Sequence, residues 1–459
     1  MPGCVSDICS VAPHCGAPLR VLDSPFQSHF RVTPTSTPPY IHRQTLIHLL
    51  SISIHHVGLQ PANLRSQKHP QPPPLPLRAR VRPPYPPPHT PLTHHSDYAD
   101  DGTNILLDAN ENAYGPSLPD SPKTSHLHRY PSPYQIPLKQ LFCNLRNTPT
   151  STSPPLTPDN LFLGVGSDEA IDVLLRAFCI PSVDKILVCP PTYGMYTVSA
   201  CVNDVAVVKV PLLTTPGFPL DVAAINAALA ADDKIKMVYV CTPGNPTGAL
   251  LDPKDIETLL NHPTWNGIVV ADEAYVDFAG EGASLAPRVT AYKNLVVMQT
   301  LSKAFGLAGI RLGVAFCDPA VAGLLNALKA PYNVSTLAAE VAERALSEGL
   351  EVGIQKREKL VQQRGKLVEA LKGLEGMGEI KGGLHANFIL IEVLNKEGKP
   401  DNTVSQKVYE ELAEEARVVV RFRGKEYGCL GCIRITVGTE EENGVFLERL
   451  REVLQRVRG

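Results

Sequence analysis

"QTLSKAFGLAGIRLGVAF", residues Gln299–Phe316, sets a Ser-Lys pair at the end of an apolar run and an arginine eight positions further on, across a glycine-containing link. Taken alone, a Ser-Lys dipeptide is a solvated loop. Its neighbours give it meaning. Short Val/Ile-rich runs recur as "KILVCPP" from Lys185, "KMVYVCTP" from Lys236, "GIVVADEAY" from Gly267 and "NLVVMQTLSK" from Asn294, separated by amphipathic stretches. Continuous apolar strands alternating with helices predict an α/β fold, a largely parallel sheet covered on both faces. In such sheets ligands gather beyond the carboxyl ends of the strands.

Those ends carry an informative set. "YVCTPGNPTG" delivers Asn245, "VVADEAY" delivers Asp272 and Tyr275, and "VMQTLSK" delivers Ser302 and Lys303. Earlier, "LGVGSDEAIDVLLRAF" places a glycine-rich turn before a helix whose Ile171, Leu174, Leu175 and Phe178 share one face. Free N–H groups of the Ser167, Asp168 and Glu169 turn can hold a phosphate. Chemically the set fits pyridoxal phosphate. The Lys303 amine can form a Schiff base with the aldehyde, and Asp272 can keep the pyridine nitrogen protonated so that the ring accepts electrons. Asn245 and Tyr275 can donate to the phenolate oxygen. Ser302 and Arg311 complete the phosphate grip with the turn, and Tyr193 in "PPTYGMY" can stack on the ring.

The motifs "NPTG", "ADEAY" and "TLSKAFGLAGIRLG" resemble those of fold-type I aminotransferases. Within them, "LDANENAYGPS" (Leu107–Ser117), "RYPSP" (Arg129–Pro133), "GSDEAIDVLLRAF", "PPTYGMY", "APYNVST" (Ala330–Thr336) and "GCIRITVGTEEEN" (Gly431–Asn443) resemble the histidinol-phosphate aminotransferase family. The likeness runs from about Asp101 to the C-terminus. It implies Lys303 as Schiff-base lysine and as the acid/base of the 1,3-proton shift. It implies Tyr130 reaching the cofactor phosphate of a partner subunit, hence a homodimer with shared active sites. It further implies Tyr114, Arg421 and Arg434 on substrate, the arginines gripping its phosphate. The expected reaction converts L-histidinol phosphate and 2-oxoglutarate to imidazole acetol phosphate and L-glutamate. One departure stands out: the family's Arg-Pro arm before "LDANEN" is replaced by "HTPLTHHSDYADDGTN".

Rival readings are another fold-type I enzyme, an aromatic amino-acid aminotransferase or a phosphothreonine decarboxylase. From a different class comes a non-catalytic scaffold acting through a proline-rich tail. That tail is the first hundred residues, which hold ten of the 14 histidines and the tract "HPQPPPLPLRARVRPPYPPPH" (His69–His89). Such proline density predicts a disordered extension. It reads as dispensable to the working protein, as an SH3/WW ligand, or as organellar targeting. The expected organisation is this extension at 1–100, an arm with part of a small domain at 101–135, a large cofactor-binding α/β domain at 136–335, and a small α+β domain at 336–459. In the last, a helical region Leu337–Leu374 precedes strands at "ANFILIEV", "ARVVVRF" and "CIRITVG" and a helix from Glu440, whose Glu440–Glu442 suit a helix start.

The 459-residue chain is 43% apolar with a net charge of −3, which supplies no electrostatic footprint for nucleic acid or an anionic membrane. No apolar run reaches the roughly 18 residues of a membrane span. Eleven scattered cysteines suit reduced thiols and a cytoplasmic enzyme. Cys429 and Cys432 form one C-x-x-C, and Cys4, Cys9 and Cys15 lie near the start, but neither group has the spacing of a zinc site, so no metal is expected. His385 reads as a structural histidine, with contact to a substrate imidazole as the alternative.

Overall fold

Side chains on a strand point alternately to opposite faces, so apolar residues at every position require cover on both sides. The computed structural model, which describes residues 105–119, 121, 124, 126–147 and 154–458, meets that requirement. The readings placed on the first hundred residues, on the 89–104 segment and on Cys4, Cys9 and Cys15 lie outside the described residues.

Strands β1 (Leu161–Val165), β2 (Lys185–Val188), β3 (Ala206–Lys209), β4 (Ile235–Cys241), β5 (Ile268–Asp272), β6 (Leu295–Thr300) and β7 (Leu312–Phe316) form one sheet in the order β1-β7-β6-β5-β4-β2-β3. Strands β3, β2, β4, β5 and β6 pair in parallel, whereas β7 runs against both of its neighbours. On one face Val269, Ala271, Val297 and Val314 pack with Leu138 and Phe142 of α1 (Ile136–Arg146). On the other, Val270, Val296 and Met298 pack with Ile171, Leu174 and Leu175 of α2 (Gly166–Phe178) and with Tyr196 of α3 (Met195–Val202). Helices α4 (Val222–Ala231), α5 (Pro253–Leu260) and α6 (Pro319–Leu328) complete the layers. The starts of α5 and α6 follow from Asp-Pro pairs: Asp252 and Asp318 accept from the N–H groups of Lys254 and Ala320, and the proline takes the first turn.

A second, antiparallel sheet joins β8 (Met377–Lys381), β9 (Phe388–Val393), β10 (Arg421–Phe422) and β11 (Cys432–Thr436) in the order β10-β11-β9-β8. Its Ile389, Ile391, Ile433 and Ile435 pack against helices that follow α7 (Thr336–Leu346), namely α8 (Leu350–Lys372), α9 (Asn402–Glu414) and α10 (Glu440–Arg458).

Two expectations need correction. The helical region Leu337–Leu374 is broken between α7 and α8, where the Ser347 hydroxyl donates back to Glu343 O at 2.7 Å and Ser347 leaves helical dihedrals. The "ARVVVRF" run is a strand only at Arg421–Phe422. Arg417 takes a left-handed φ of 55°, and the Val418 N–H closes α9 by donating to Leu412 O at 2.7 Å, so Val418 and Val420 pack from irregular backbone while Val419 faces solvent. Among the described residues no helix is long and apolar enough to cross a membrane, and no group of three or more His, Cys, Asp or Glu side chains is placed to hold a metal ion. Cys429 and Cys432 are fully buried, joined by a turn in which Cys432 N–H donates to Cys429 O at 2.9 Å.

Candidate active site

Strands β4, β5 and β6 are adjacent, with Cys241 paired to Asp272 and Asp272 to Met298, so their carboxyl ends lie side by side. This brings Asn245, Asp272, Tyr275 and Lys303 together. Lys303 Nζ lies 5.6 Å from the centre of the Tyr275 ring. Desolvation, and then the like charges of Arg434 and Arg311, lower its proton affinity against the pull of Asp168 and Asp272. A lysine so placed sheds its proton more readily than one in water, as a nucleophilic amine must. Asp272, 2% exposed, accepts from Tyr196 Oη at 2.6 Å and from Ala274 N–H at 3.1 Å. Burial pushes its carboxyl above the usual range, while those two donors and Lys303 oppose the shift.

The opposite end is built from backbone. Helix α2 starts at Gly166, whose N–H donates to Arg311 O at 3.0 Å. The approach depends on Gly313, because a Cβ there would run into the backbone of Gly166 and Ser167. Arg311 itself has a φ of +54°, a conformation that costs an L residue roughly 1–2 kcal/mol. It brings the guanidinium over Gly166, where an added Cβ would sit 2.9 Å from Arg311 Nη2, and to 3.7 Å from Asp168 Oδ2. Tyr193 Oη donates to Asp168 Oδ1 at 3.1 Å, and Ser302 Oγ accepts from Thr300 Oγ1 at 2.9 Å. The Glu169 carboxylate turns away, accepting from Val165 N–H at 2.5 Å and from Asn333 Nδ2 at 2.9 Å, so it locks the turn and leaves only its amide to the site. A first helical turn, a hydroxyl, a half-exposed guanidinium and a side-chain-free glycine make a cradle for a phosphate. With the amine and buried carboxylate, the donor set fits pyridoxal phosphate.

The second sheet closes on the first through Arg434, whose Nη1 donates to Asn245 Oδ1 at 2.5 Å. With its oxygen occupied, the Asn245 amide keeps its NH₂ as a donor. The Arg434 guanidinium lies 5.2 Å from the centre of the Phe388 ring, and that ring meets Tyr275 edge-on at 5.1 Å. Arg421 is the direct cross-strand partner of Arg434.

Tyr114 and Tyr130 are not brought to this constellation. Tyr114 is fully exposed, and Tyr130 stacks on Tyr332 with ring centres 4.8 Å apart while its N–H donates to Glu111 Oε1 at 2.7 Å. Three residues escaped the sequence reading: Tyr196, Phe388 and Arg423, the last on the same face of the sheet as Arg421. His385 donates its backbone N–H to Gly248 O at 3.0 Å, and its Nδ1 is buried without a partner among the described residues.

Residues 100–450 match the family described as aminotransferase class I and II. The chain belongs to that family. This aminotransferase is 48% identical over 359 residues to the histidinol-phosphate aminotransferase of Candida maltosa, covering 77% of this chain and 92% of the relative. It is 51% identical over 354 residues to that of Schizosaccharomyces pombe, covering 76% and 91%. Among solved structures, its fold matches histidinol-phosphate aminotransferase from Sinorhizobium meliloti in complex with pyridoxal-5'-phosphate, with a TM-score of 0.64, 20% identity, and 76% and 90% of the two chains covered. Aspartate aminotransferase from Thermus thermophilus with maleate matches with a TM-score of 0.60, 25% identity, and 71% and 84% covered.

Proposed function

We propose that the chain is a pyridoxal-phosphate-dependent aminotransferase of histidine biosynthesis that interconverts L-histidinol phosphate and 2-oxoglutarate with imidazole acetol phosphate and L-glutamate. The single observation that carries the substrate choice is the direct pairing of Arg421 with Arg434, two cations on one sheet face, with Arg434 bonded to Asn245. An α-carboxylate needs one such partner, whereas a phosphomonoester has the charge and acceptor oxygens for two. Relatives 48% and 51% identical that carry the same activity in their names support the choice over the decarboxylase and aromatic alternatives.

When bound, pyridoxal phosphate supplies an aldehyde for covalent attachment and a ring that takes up the electron pair released at Cα. The residues would then divide the work. Lys303 would bond to the cofactor aldehyde, and its amine, when free, would be the group that takes and returns the substrate's Cα proton. Asp272 would keep the ring nitrogen protonated, with Tyr196 behind it. Asn245 and Tyr275 would donate to the ring oxygen, and Tyr193 would cover the ring. The Ser167–Glu169 amides, Ser302 and Arg311 would hold the phosphate. We further read the protein as a cytoplasmic homodimer in which Tyr130 and Tyr114 serve a shared site. Their exposure, with that of Leu107, leaves apolar surface for a partner, and the described cysteines are all free thiols. The large and small domains are read as 136–335 and 336–459.

Purified holoenzyme offered L-histidinol phosphate, L-phenylalanine and O-phosphothreonine in turn tests the reading. The highest kcat/KM belongs to histidinol phosphate. Faster transamination of phenylalanine, or carbon dioxide release from phosphothreonine, refutes it.

A further inference from the structure

The patch that holds Arg421 and Arg434 contains a third arginine. Strand pairing extends one residue past β10, since Arg423 N–H donates to Cys432 O at 2.8 Å. In extended backbone Arg423 therefore points to the same side as Arg421, diagonally across from Arg434, a separation that arginine side chains span. Arg423 Nη1 is 2.6 Å from Glu426 Oε1, and both side chains stay about a quarter exposed, at 27% and 26%. Three arginines against one glutamate leave two positive charges. The patch is also short of acceptors: Arg423 Nε and Arg434 Nε are buried with no hydrogen-bond partner among the described residues. Buried donors left in this way are unfavourable until an acceptor reaches them. After burial, the proximity of Arg423 is the largest cause lowering the proton affinity of Arg434, with Tyr275 and Glu426 opposing it, so the two guanidiniums lie close enough to repel.

A phosphomonoester carries a charge of about −1.5 to −2 and three acceptor oxygens, which matches both the excess charge and the missing acceptors. We infer that Arg423 is a third ligand for the phosphate of the amino donor, held in the free enzyme by Glu426, which competes with that phosphate for the guanidinium. The inference deepens the proposed function and rests on its phosphate-ester donor. The plain structural role for the pair is to clip the turn in which Glu426 N–H donates to Arg423 O at 3.0 Å.

The two roles predict different signs. If the pair merely clips the turn, Arg423→Gln and Glu426→Gln break the same bond and shift KM for histidinol phosphate in the same direction. If Arg423 is a phosphate ligand restrained by Glu426, the shifts are opposite. For the holoenzyme, Arg423→Gln is expected to raise KM for histidinol phosphate roughly 10- to 100-fold with kcat moved less than about threefold, the loss of one charge-assisted hydrogen bond. Arg423→Lys falls between, and Glu426→Gln lowers KM about two- to fivefold. Inorganic phosphate titrated calorimetrically into each holoenzyme binds more weakly to Arg423→Gln and more tightly to Glu426→Gln. Shifts of like sign, or an unchanged KM in Arg423→Gln, overturn the inference. Should Arg423→Gln fail to fold, Glu426→Gln decides alone, and a raised or unchanged KM overturns it. A wild-type enzyme that ignores histidinol phosphate refutes the proposed function, and the phosphate titrations then judge Arg423 separately.

Discussion

The hydroxyl of Tyr196 donates to Asp272 Oδ2 at 2.6 Å from a fully buried ring that stacks on Tyr239 with centres 4.8 Å apart. The acid at the end of β5 is thus steadied from beneath by a helix of the neighbouring layer, while its other oxygen takes the Ala274 amide. A carboxylate this deeply buried stays charged only while such donors hold it.

Tyr196→Phe removes one donor and keeps the ring. Burial already lifts the Asp272 carboxyl, so losing the hydroxyl lifts it further, and the acid limb of the kcat/KM profile moves to higher pH. At neutral pH the expected loss in kcat/KM is roughly 10-fold, the size of a buried hydrogen bond to a charged group. An acid limb that stays in place would mean Tyr196 matters for packing alone.

Borohydride reduction of the holoenzyme, followed by digestion and mass mapping, should place the pyridoxyl label on the peptide containing Lys303. Lys303→Ala should show no label and no cofactor absorbance shift, with turnover lower by at least about 1,000-fold. A label on any other lysine removes Lys303 from its role.

Glu273 follows Asp272 directly yet faces a different network. It is 1% exposed and accepts from Leu285 N–H at 2.6 Å, Ser284 Oγ at 2.7 Å and Gln299 Nε2 at 2.8 Å, with Gln299 bridging to Arg146. Burial outweighs these donors and pushes its carboxyl up to about 7 from 4.5. The folded state therefore binds this proton more tightly than the unfolded state does. The stabilisation is complete below about pH 4.5 and is lost as pH rises through about 7, a change of roughly 3 kcal/mol at most. Glu273→Gln cannot ionise, so its urea midpoint should change less between pH 5 and pH 8 than that of the wild type. Equal slopes would exclude Glu273 as the source.

Gly313→Ala tests the close approach of β7 to the start of α2. The added methyl meets the backbone of Gly166 and Ser167, which cannot rotate away as a side chain would. A loss of about 1–3 kcal/mol is expected, with weaker cofactor retention because the phosphate-end turn is displaced. Thermal unfolding and cofactor release by dialysis read the two effects, and a wild-type melting temperature would show that the turn yields freely.

Much of this architecture is legible in the chain because strand-end residues sit next to unmistakable apolar runs. Asn245, Asp272, Tyr275 and Lys303 each follow such a run, and the parallel pairing of β4, β5 and β6 does the rest. Tyr196 was hidden because a tyrosine inside a helix, three residues past Tyr193, has the spacing of ordinary core packing. Phe388 stood within the continuous apolar run "FILIEV", where nothing local distinguishes a ring that touches Arg434 from one that fills space. Arg423 lies one residue beyond the "ARVVVRF" run, where a glycine follows and no apolar pattern marks a strand. The break at Ser347 and the bend at Arg417 go with hydrogen bonds from the Ser347 hydroxyl to Glu343 O and from Val418 N–H to Leu412 O, which no periodicity reports.

Because β7 reverses direction, the eleven residues from Leu301 to Arg311 leave one strand end and return to the sheet at its neighbour, carrying both the amine and the guanidinium on a single tether. Under the proposed roles its two anchors would act as a gauge for one coenzyme, Lys303 at the aldehyde and Arg311 at the phosphate. Adding or removing a residue in this tether would detune the gauge, whereas the same change in the surface loop around Gly280–Gly282 would leave its setting untouched.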